Sequence, residues 1–356
     1  MREGVDRIRE TALAHDVLPL VADRMAADAR LPPDVRVRFL ADAHAAAAHD
    51  LSAEAELRSV LAAFGRQQIP VLVVKGSHLA YTHYARPELR SRTDTDLLIP
   101  RPARDDADAL MTGALGYVAE SKVSGDFTAT QMLYVKRDDD RVVQMIDLHW
   151  RLASPQLFAH VLSFDELHAG SVALPALGTA ARGPSNVHAL VIACMHRVAH
   201  HQDEADQFKW LLDIHLVASR FGEADWQAFA TLAAERQIAA VCLDSLERTV
   251  EWFGTVLPAW IREDARFAGA REREQTASYL ADRPKAAVVL DDLRALPSWG
   301  ARLRLMAEHL FPGEEYMRKV YAPSSRAPLA WLYLVRFLAG AGGWLRVSNR
   351  QPPKTP

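Results

Sequence analysis

The amino-acid sequence predicts an α+β fold, in which a small mixed sheet lies between two helical regions of the chain. Residues 10–65 are rich in alanine and leucine at helical spacing. Short apolar and β-branched runs then alternate with helical patterns as far as residue 150. After Pro184 the i, i+3, i+4 apolar spacing of amphipathic helices returns. A group of strands between helical regions is typical of an α+β protein.

These changes of pattern divide the 356 residues into four predicted parts. They are an N-terminal helical segment (1–66), a sheet-containing core (67–182), a helical C-terminal domain (183–348) and a disordered tail (349–356). Within the first part we expect a separate helix over 54–64 that ends at Gly65. Three of the last six residues of the tail, 351–356, are prolines, which disfavours a packed structure.

Four strands are predicted in the core, over 71–74, 93–99, 131–136 and 142–150. The first is a continuous apolar run, as in a buried strand, and Pro100 stops the second. A short helix is expected after the first strand, with Ser77 as a possible cap. A second helix is expected from Arg104 to the turn at Gly116.

Composition excludes several classes of protein. The chain has 42 Lys and Arg against 45 Asp and Glu, so no bulk positive field favours nucleic acid. Cys194 and Cys242 are too few for a disulfide framework or a thiolate zinc site, and they fit a cytoplasmic protein without a secretory leader. The most apolar stretch, 329–345, contains Arg336 and is too short for a membrane span. We therefore expect a packed helix there.

Acidic residues lie in two of the predicted strands. Asp94 and Asp96 are two residues apart, so strand geometry would direct both side chains to one face. Two such carboxylates repel each other, and a divalent cation would remove the repulsion. Asp147 interrupts an apolar strand two residues before His149, where a charge is costly unless it is paired or binds metal. The simpler alternative for Asp-x-Asp is a turn or a helix cap.

Three strand-borne carboxylates suit two-metal phosphoryl transfer, in which one ion bridges phosphate oxygens and the other activates the attacking hydroxyl. Gly76 and Ser77 follow the first strand and open a helix, a geometry that presents backbone N–H groups to an anion. This turn matches neither common phosphate-loop pattern. Lys75 either neutralises triphosphate charge or pairs with an acid.

Taken in order, these motifs resemble the polymerase-beta-like nucleotidyltransferase superfamily. Within it, the sequence is similar to the uncharacterised nucleotidyltransferase family over about residues 71–218. The matching blocks are Val73-Val74-Lys75-Gly76-Ser77-His78-Leu79-Ala80, Arg90 with Asp94-Thr95-Asp96-Leu97-Leu98-Ile99, and Ile146-Asp147-Leu148-His149-Trp150-Arg151. In the helical region that follows, the matching residues are His196, His200 and Trp210-Leu211-Leu212-Asp213-Ile214.

The resemblance implies that Asp94 and Asp96 bind metal, Asp147 is the third carboxylate, and Gly76 and Ser77 contact phosphate. The other candidates for binding the nucleotide are Lys75, Arg90, His149, His196, Lys209 and Asp213. Arg90 could instead balance the carboxylates. Lys209 and Asp213 could simply pair, because they are four residues apart on a helix. The spacing of His196 and His200 would suit zinc, but nucleotide or interface contacts are favoured because the metalloprotease glutamate is missing.

The sequence thus predicts an enzyme that uses Mg²⁺ or Mn²⁺ to move a nucleoside monophosphate from a nucleoside triphosphate (NTP) to an acceptor hydroxyl, with release of pyrophosphate. A small molecule, peptide or protein is favoured over nucleic acid as the acceptor. Two alternatives stay open. One is a catalytically degenerate nucleotide-binding or regulatory protein, and the other is a toxin-type transferase that acts on RNA.

Overall fold

The structure is a computed structural model. It describes residues 2–120, 125–139, 141–200, 206–281, 283–321 and 327–344. The tail predicted at 349–356 lies outside the described residues.

Three helices precede the sheet: α1 (Arg2–Ala14), α2 (Leu18–Ala27) and α3 (Pro33–Arg66). The separate helix expected over 54–64 is wrong, because α3 continues through 34 residues with Gly65 in its last turn. No proline follows Pro33 in this helix, and its alanine-rich middle favours helix throughout.

Five strands form one mixed sheet in the order β1-β2-β5-β4-β3. They are β1 (Leu72–Val73), β2 (Thr95–Leu98), β3 (Val118–Glu120), β4 (Gln131–Asp138) and β5 (Arg141–His149). β2 and β5 are parallel, and the other neighbours are antiparallel. The strand patterns predict four of the five. They miss β3, in which Val118 and Ala119 are exposed and show no buried face.

Short elements connect the strands. α4 (Lys75–Thr82) joins β1 to β2, and α5 (Arg104–Ala109) continues as a π turn over Leu110–Ala114. After β5 come α6 (Phe164–Ala169) and a small hairpin of β6 (Val172–Ala173) and β7 (Arg182–Gly183).

The rest of the described chain is helical. Its helices are α7 (Asn186–His200), α8 (Phe208–Ala218), α9 (Glu223–Glu235), α10 (Ala239–Phe253), α11 (Ala270–Arg273), α12 (Lys285–Ala295), α13 (Trp299–Leu310), α14 (Glu314–Tyr321) and α15 (Leu329–Trp344). No helix among the described residues has both the length and the apolar character needed to cross a bilayer.

Helices cover both faces of the sheet. Leu97, Ile146 and Leu148 share a buried cluster with apolar residues of α3 and α5. Leu72 and Leu98 belong to a second cluster, which is built mainly by α7 to α10. Successive strand residues point to opposite faces. Asp96 and Asp147 therefore project on the side of Leu98, toward the helices that follow residue 182.

Candidate active site

Two carboxylates lie side by side at the centre of the sheet. In the parallel pairing of β2 with β5, Asp96 is the register partner of Asp147, and His149 follows on the same side of β5. Among the described residues, ligand atoms of Asp96, Asp147 and His149 all lie within 4.8 Å of one another. The sheet register thus brings together three of the residues predicted from the sequence.

Lys75 lies against this group from the start of α4. Its Nζ donates a hydrogen bond of 2.8 Å to Asp96 Oδ1 and lies 3.1 Å from His149 Nε2. Its backbone adopts a positive φ of 52°, which turns the chain sharply from β1 into the helix. Of the two predicted roles for Lys75, the structure contains the pairing with an acid.

The pKa of Asp96 is set by two opposing effects. Burial alone would raise it, but the Lys75 ammonium and the hydrogen bond from His149 outweigh burial and hold the pKa of Asp96 well below its usual range. Burial, together with the charge of Lys75, lowers the pKa of His149. A neutral His149 can donate to the ionised Asp96 only through an Nε2 that carries its proton. The site therefore holds an aspartate anion, a lysine cation and a neutral imidazole.

Asp147 is buried but only half satisfied. Its Oδ2 accepts a hydrogen bond from the side-chain amide of Gln131, whereas its Oδ1 has no partner among the described residues. An unpartnered buried carboxylate oxygen is costly unless a cation or a donor meets it. Since Mg²⁺ and Mn²⁺ prefer carboxylate oxygens, the residues present fit a divalent cation. Gln131 was not predicted, although it is the register partner of His149 across β4 and β5.

Arg90 and Asp213 form a buried pair beside the site. Arg90 Nη2 and Nε lie 2.7 and 2.8 Å from the two oxygens of Asp213, and the hydroxyl of Tyr84 donates to the same carboxylate at 2.8 Å. Burial alone would lower the pKa of Arg90, but the charge and hydrogen bonds of Asp213 raise it. The guanidinium of Arg90 therefore stays charged, and its contact with Asp213 ties the loop before β2 to α8.

Gly76 makes room for this pair. A Cβ on Gly76 would lie 2.7 Å from Arg90 Nη2 and 2.9 Å from Arg90 Cζ. Gly76 is therefore required for the close approach of the Arg90 guanidinium to the first turn of α4, in addition to any contact that it makes with phosphate.

Ser77 lies in the first turn of α4, which begins at Lys75 and has Val74 as its N-cap. The expectation that Ser77 caps the helix is therefore wrong. Its buried hydroxyl instead accepts a hydrogen bond of 3.3 Å from the backbone N–H of Asp96. Ser77 thus links the first turn of α4 to the strand that carries Asp96.

Asp94 lies apart from the cluster. It precedes β2 in a bend and lines a separate cavity of about 230 Å³ together with Arg90, Arg92 and Gln144. The strand begins only at Thr95, so the alternation that would direct Asp94 and Asp96 to one face does not extend to Asp94.

The remaining candidates come from the C-terminal helices. His196 of α7 lies edge-to-face against Trp210, with ring centroids 5.5 Å apart. Lys209 does not pair with Asp213. It forms an ion pair with Asp16, in the turn between α1 and α2, whereas Asp213 is engaged by Arg90.

A large cavity opens beside Lys75 and His196. It has a volume of about 530 Å³ and extends between the sheet and α7, α12 and α13. Apolar side chains dominate its walls, among them Phe127, Leu152, Ile192, Met195, Val289 and Leu305. Polar and charged groups are interspersed, including Gln131, Gln156, Asp292, Glu308 and Arg336. The lining residues from α12 and α13 form no motif recognisable in the sequence, because they come together only through the packing of distant helices.

No match was found among curated proteins. Among solved structures, the chain is similar to an antigenic nucleotidyltransferase-like protein from Paracoccidioides brasiliensis, at 14% identity and a TM-score of 0.32, over 55% of this chain and 93% of that one. The family described as uncharacterised nucleotidyltransferase matches residues 2–254, which include every residue of the cluster around Asp96. The chain therefore belongs to the uncharacterised nucleotidyltransferase family and is a nucleotidyltransferase.

Proposed function

We propose that this enzyme transfers a nucleoside monophosphate from an NTP to an acceptor hydroxyl, releasing pyrophosphate, at a divalent-metal site formed by Asp96 and Asp147. The observation that carries the proposal is the pairing of these two carboxylates in adjacent parallel strands, with one oxygen of Asp147 unpartnered in the part of the chain that the structure describes. Two adjacent buried carboxylates raise the free energy of the folded protein unless a cation binds between them.

Mg²⁺ or Mn²⁺ held by these carboxylates would neutralise phosphate charge and acidify the acceptor hydroxyl. His149 holds Asp96 in place through its Nε2 contact of 2.8 Å. Asp94, which directly precedes β2 and lines a separate cavity, stays a proposed metal ligand beside Asp96 and Asp147. The Asp94→Asn variant decides whether that assignment is right.

Cationic groups around the cluster would bind the triphosphate. Lys75 lies at the start of α4, where backbone N–H groups of the first turn, including those of Gly76 and Ser77, are available to an anion. His196 lines the adjoining cavity, and Arg90 supplies a fixed positive charge next to Gly76. Lys209 and Asp213 would act indirectly, since each is engaged in an ion pair within the protein.

The acceptor would bind in the cavity of about 530 Å³, a volume ordinary for small-molecule sites. The positively charged side chains of Lys75 and Arg336 on its wall are matched in number by the acidic residues Asp292 and Glu308. A polynucleotide acceptor would call for a surplus of positive charge along an open groove. A small molecule or a segment of peptide therefore fits this cavity better.

Calorimetry with each of the four NTPs, in the presence of Mg²⁺ or Mn²⁺, tests the site directly. We expect metal-dependent binding of one NTP by the wild type, lost in Asp96→Asn and in Asp147→Asn. Asp138→Asn is the matched control, since that exposed aspartate lies at the far end of β4. Equal binding by all four proteins would contradict the proposal. Binding without transfer to any acceptor would favour the regulatory alternative.

A further inference from the structure

Helix α13 exposes an apolar stripe. Trp299, Leu303, Met306 and Leu310 follow the spacing i, i+4, i+7, i+11, which places them on one face of the helix. All four are exposed, and Trp299 retains 76% of its accessible surface. Leu305 points the other way and is buried. A surface helix normally buries its apolar face, so α13 lacks a partner for this stripe within the described chain.

Helix α15 repeats the feature. Trp331, Leu334 and Leu338 follow the spacing i, i+3, i+7 and are exposed, as is Phe337 at 68%. The buried Leu332 shows that α15 packs on one side only. The packed helix expected from the sequence at 329–345 is therefore packed along one face of its described part, and four of the apolar side chains described there face outward.

The two stripes belong to neighbouring parts of the molecule. Phe311, the residue after α13, lies edge-to-face against Tyr333 of α15 with ring centroids 5.5 Å apart. The Tyr333 hydroxyl donates to the carbonyl of Pro312 at 2.7 Å, and Arg336 donates to the carbonyl of His309 at 3.0 Å. We call the exposed apolar residues of α13 and α15 the C-terminal apolar surface.

The part of the sequence that contains this surface is rich in Lys and Arg, although Arg326, Arg346, Arg350 and Lys354 lie outside the described residues. Residues 299–356 contain nine Lys and Arg but three Asp and Glu, whereas residues 1–298 contain 33 against 42. The last part of the chain is thus positive in a protein whose net charge is −3. On α13 itself, Arg304 is 64% exposed and pairs with Asp126, and Arg302 lies over the ring of Trp299, 5.1 Å from its centroid. Arginines therefore border the exposed aromatic and aliphatic residues.

We propose that the C-terminal apolar surface binds the face of an anionic lipid bilayer as a peripheral attachment site. Exposed Trp, Phe and Leu side chains enter the boundary between headgroups and acyl chains, while the arginines contact anionic headgroups. A membrane explains both features at once. Pairing of this surface with its own copy would bring like charges together, which is unfavourable. Nucleic acid would leave the apolar residues without a partner.

Flotation of the full chain with lipid vesicles tests the proposal. We expect it to float with vesicles of phosphatidylcholine and phosphatidylglycerol, to float less with phosphatidylcholine alone, and to release in high salt. Trp331→Ser/Phe337→Ser should weaken partitioning by about tenfold or more, because two large apolar groups no longer insert. Val256→Ser is the matched control. Val256 is 85% exposed but lies outside this surface, so its loss should leave flotation unchanged.

Tryptophan fluorescence of the wild type gives a measurement that does not depend on any variant. Insertion of Trp299 and Trp331 should shift the emission to shorter wavelength when anionic vesicles are added. Absence of both flotation and a spectral shift would overturn the proposal. Val256→Ser weakening the partitioning to vesicles as much as the double variant would also overturn it. So would a concentration-dependent dimer that Phe337→Ser dissociates, because a second copy would then cover the surface.

Discussion

The ammonium of Lys75 lies 2.8 Å from Asp96 Oδ1, so a cation of the protein itself is in contact with the carboxylate proposed to bind metal. Both side chains are largely buried, at 11% and 14% exposure, and water screens their attraction only weakly. The pair explains how Asp96 stays ionised inside the molecule. It also implies that Lys75 and a metal ion compete for the same oxygen.

Lys75→Met should separate these two roles. Without the ammonium, Asp96 becomes available, and Mn²⁺ alone should bind several-fold more tightly. The NTP should bind about tenfold more weakly, because a charge-assisted contact to phosphate is lost. Calorimetric titration with Mn²⁺, and then with NTP at saturating Mn²⁺, measures both affinities.

Lys136→Met is the control for Lys75→Met, since Lys136 forms its ion pair with Glu56 outside the cluster. It should leave both affinities unchanged. A fall in metal affinity with Lys75→Met would show that Lys75 supports the metal site and does not compete with the metal.

Local sequence patterns were sufficient for four of the five strands of the sheet and for the helical character of the chain after Pro184. They also placed Asp96, Asp147 and His149 on strands, where the register brings them together. The order of these motifs along the chain indicated the family resemblance. Each of these features depends on residues close together in sequence, which is why the sequence alone could reveal them.

Contacts between distant segments were not predictable in this way. The pairing of Arg90 with Asp213 joins residues 123 positions apart, and that of Lys209 with Asp16 joins residues 193 apart. The i, i+4 spacing suggested that Lys209 and Asp213 pair with each other. Partners on other elements bind each of them instead. Local spacing identifies possible partners, but tertiary packing decides between them.

Gly76→Ala should destabilise the protein by roughly 1 to 3 kcal/mol, since the added methyl group overlaps the Arg90 guanidinium and Asp213 prevents that group from moving. Chemical denaturation measures the loss. Gly113→Ala is the matched control, because a Cβ there meets no atom within 4 Å. Similar losses in the two variants would mean that Arg90 can give way at little cost.

Asp213→Ala should lower the free energy of unfolding by about 3 to 5 kcal/mol, because it leaves the buried Arg90 guanidinium without its counter-charge. Glu251→Ala removes an exposed carboxylate that pairs with Arg248, and it should change stability by less than about 1 kcal/mol. Urea denaturation of both variants gives the comparison. A small effect of Asp213→Ala would show that water reaches Arg90 and replaces the carboxylate.

Asp292 should make the stability of the protein depend on pH. It lies in the wall of the large cavity, and burial raises its pKa to about 6 despite hydrogen bonds from the backbone and from Tyr279. An acid whose pKa is higher in the folded state stabilises the fold while it is protonated. That contribution is complete below the ordinary pKa of aspartate and is lost as the pH rises through about 6.

Asp292→Asn removes this titration, so the difference in unfolding free energy between wild type and variant should move in favour of the variant with rising pH. The change should be about 1 kcal/mol between roughly pH 5 and pH 7. The substitution can also carry a cost that does not vary with pH, because Asp292 Oδ1 accepts hydrogen bonds from Gln156 N–H and the Tyr279 hydroxyl. Such a constant cost drops out when only the change of the free-energy difference with pH is compared. Denaturation of both proteins at several pH values supplies the curve. A difference that stays constant across this range would mean that solvent in the cavity keeps the carboxylate ionised.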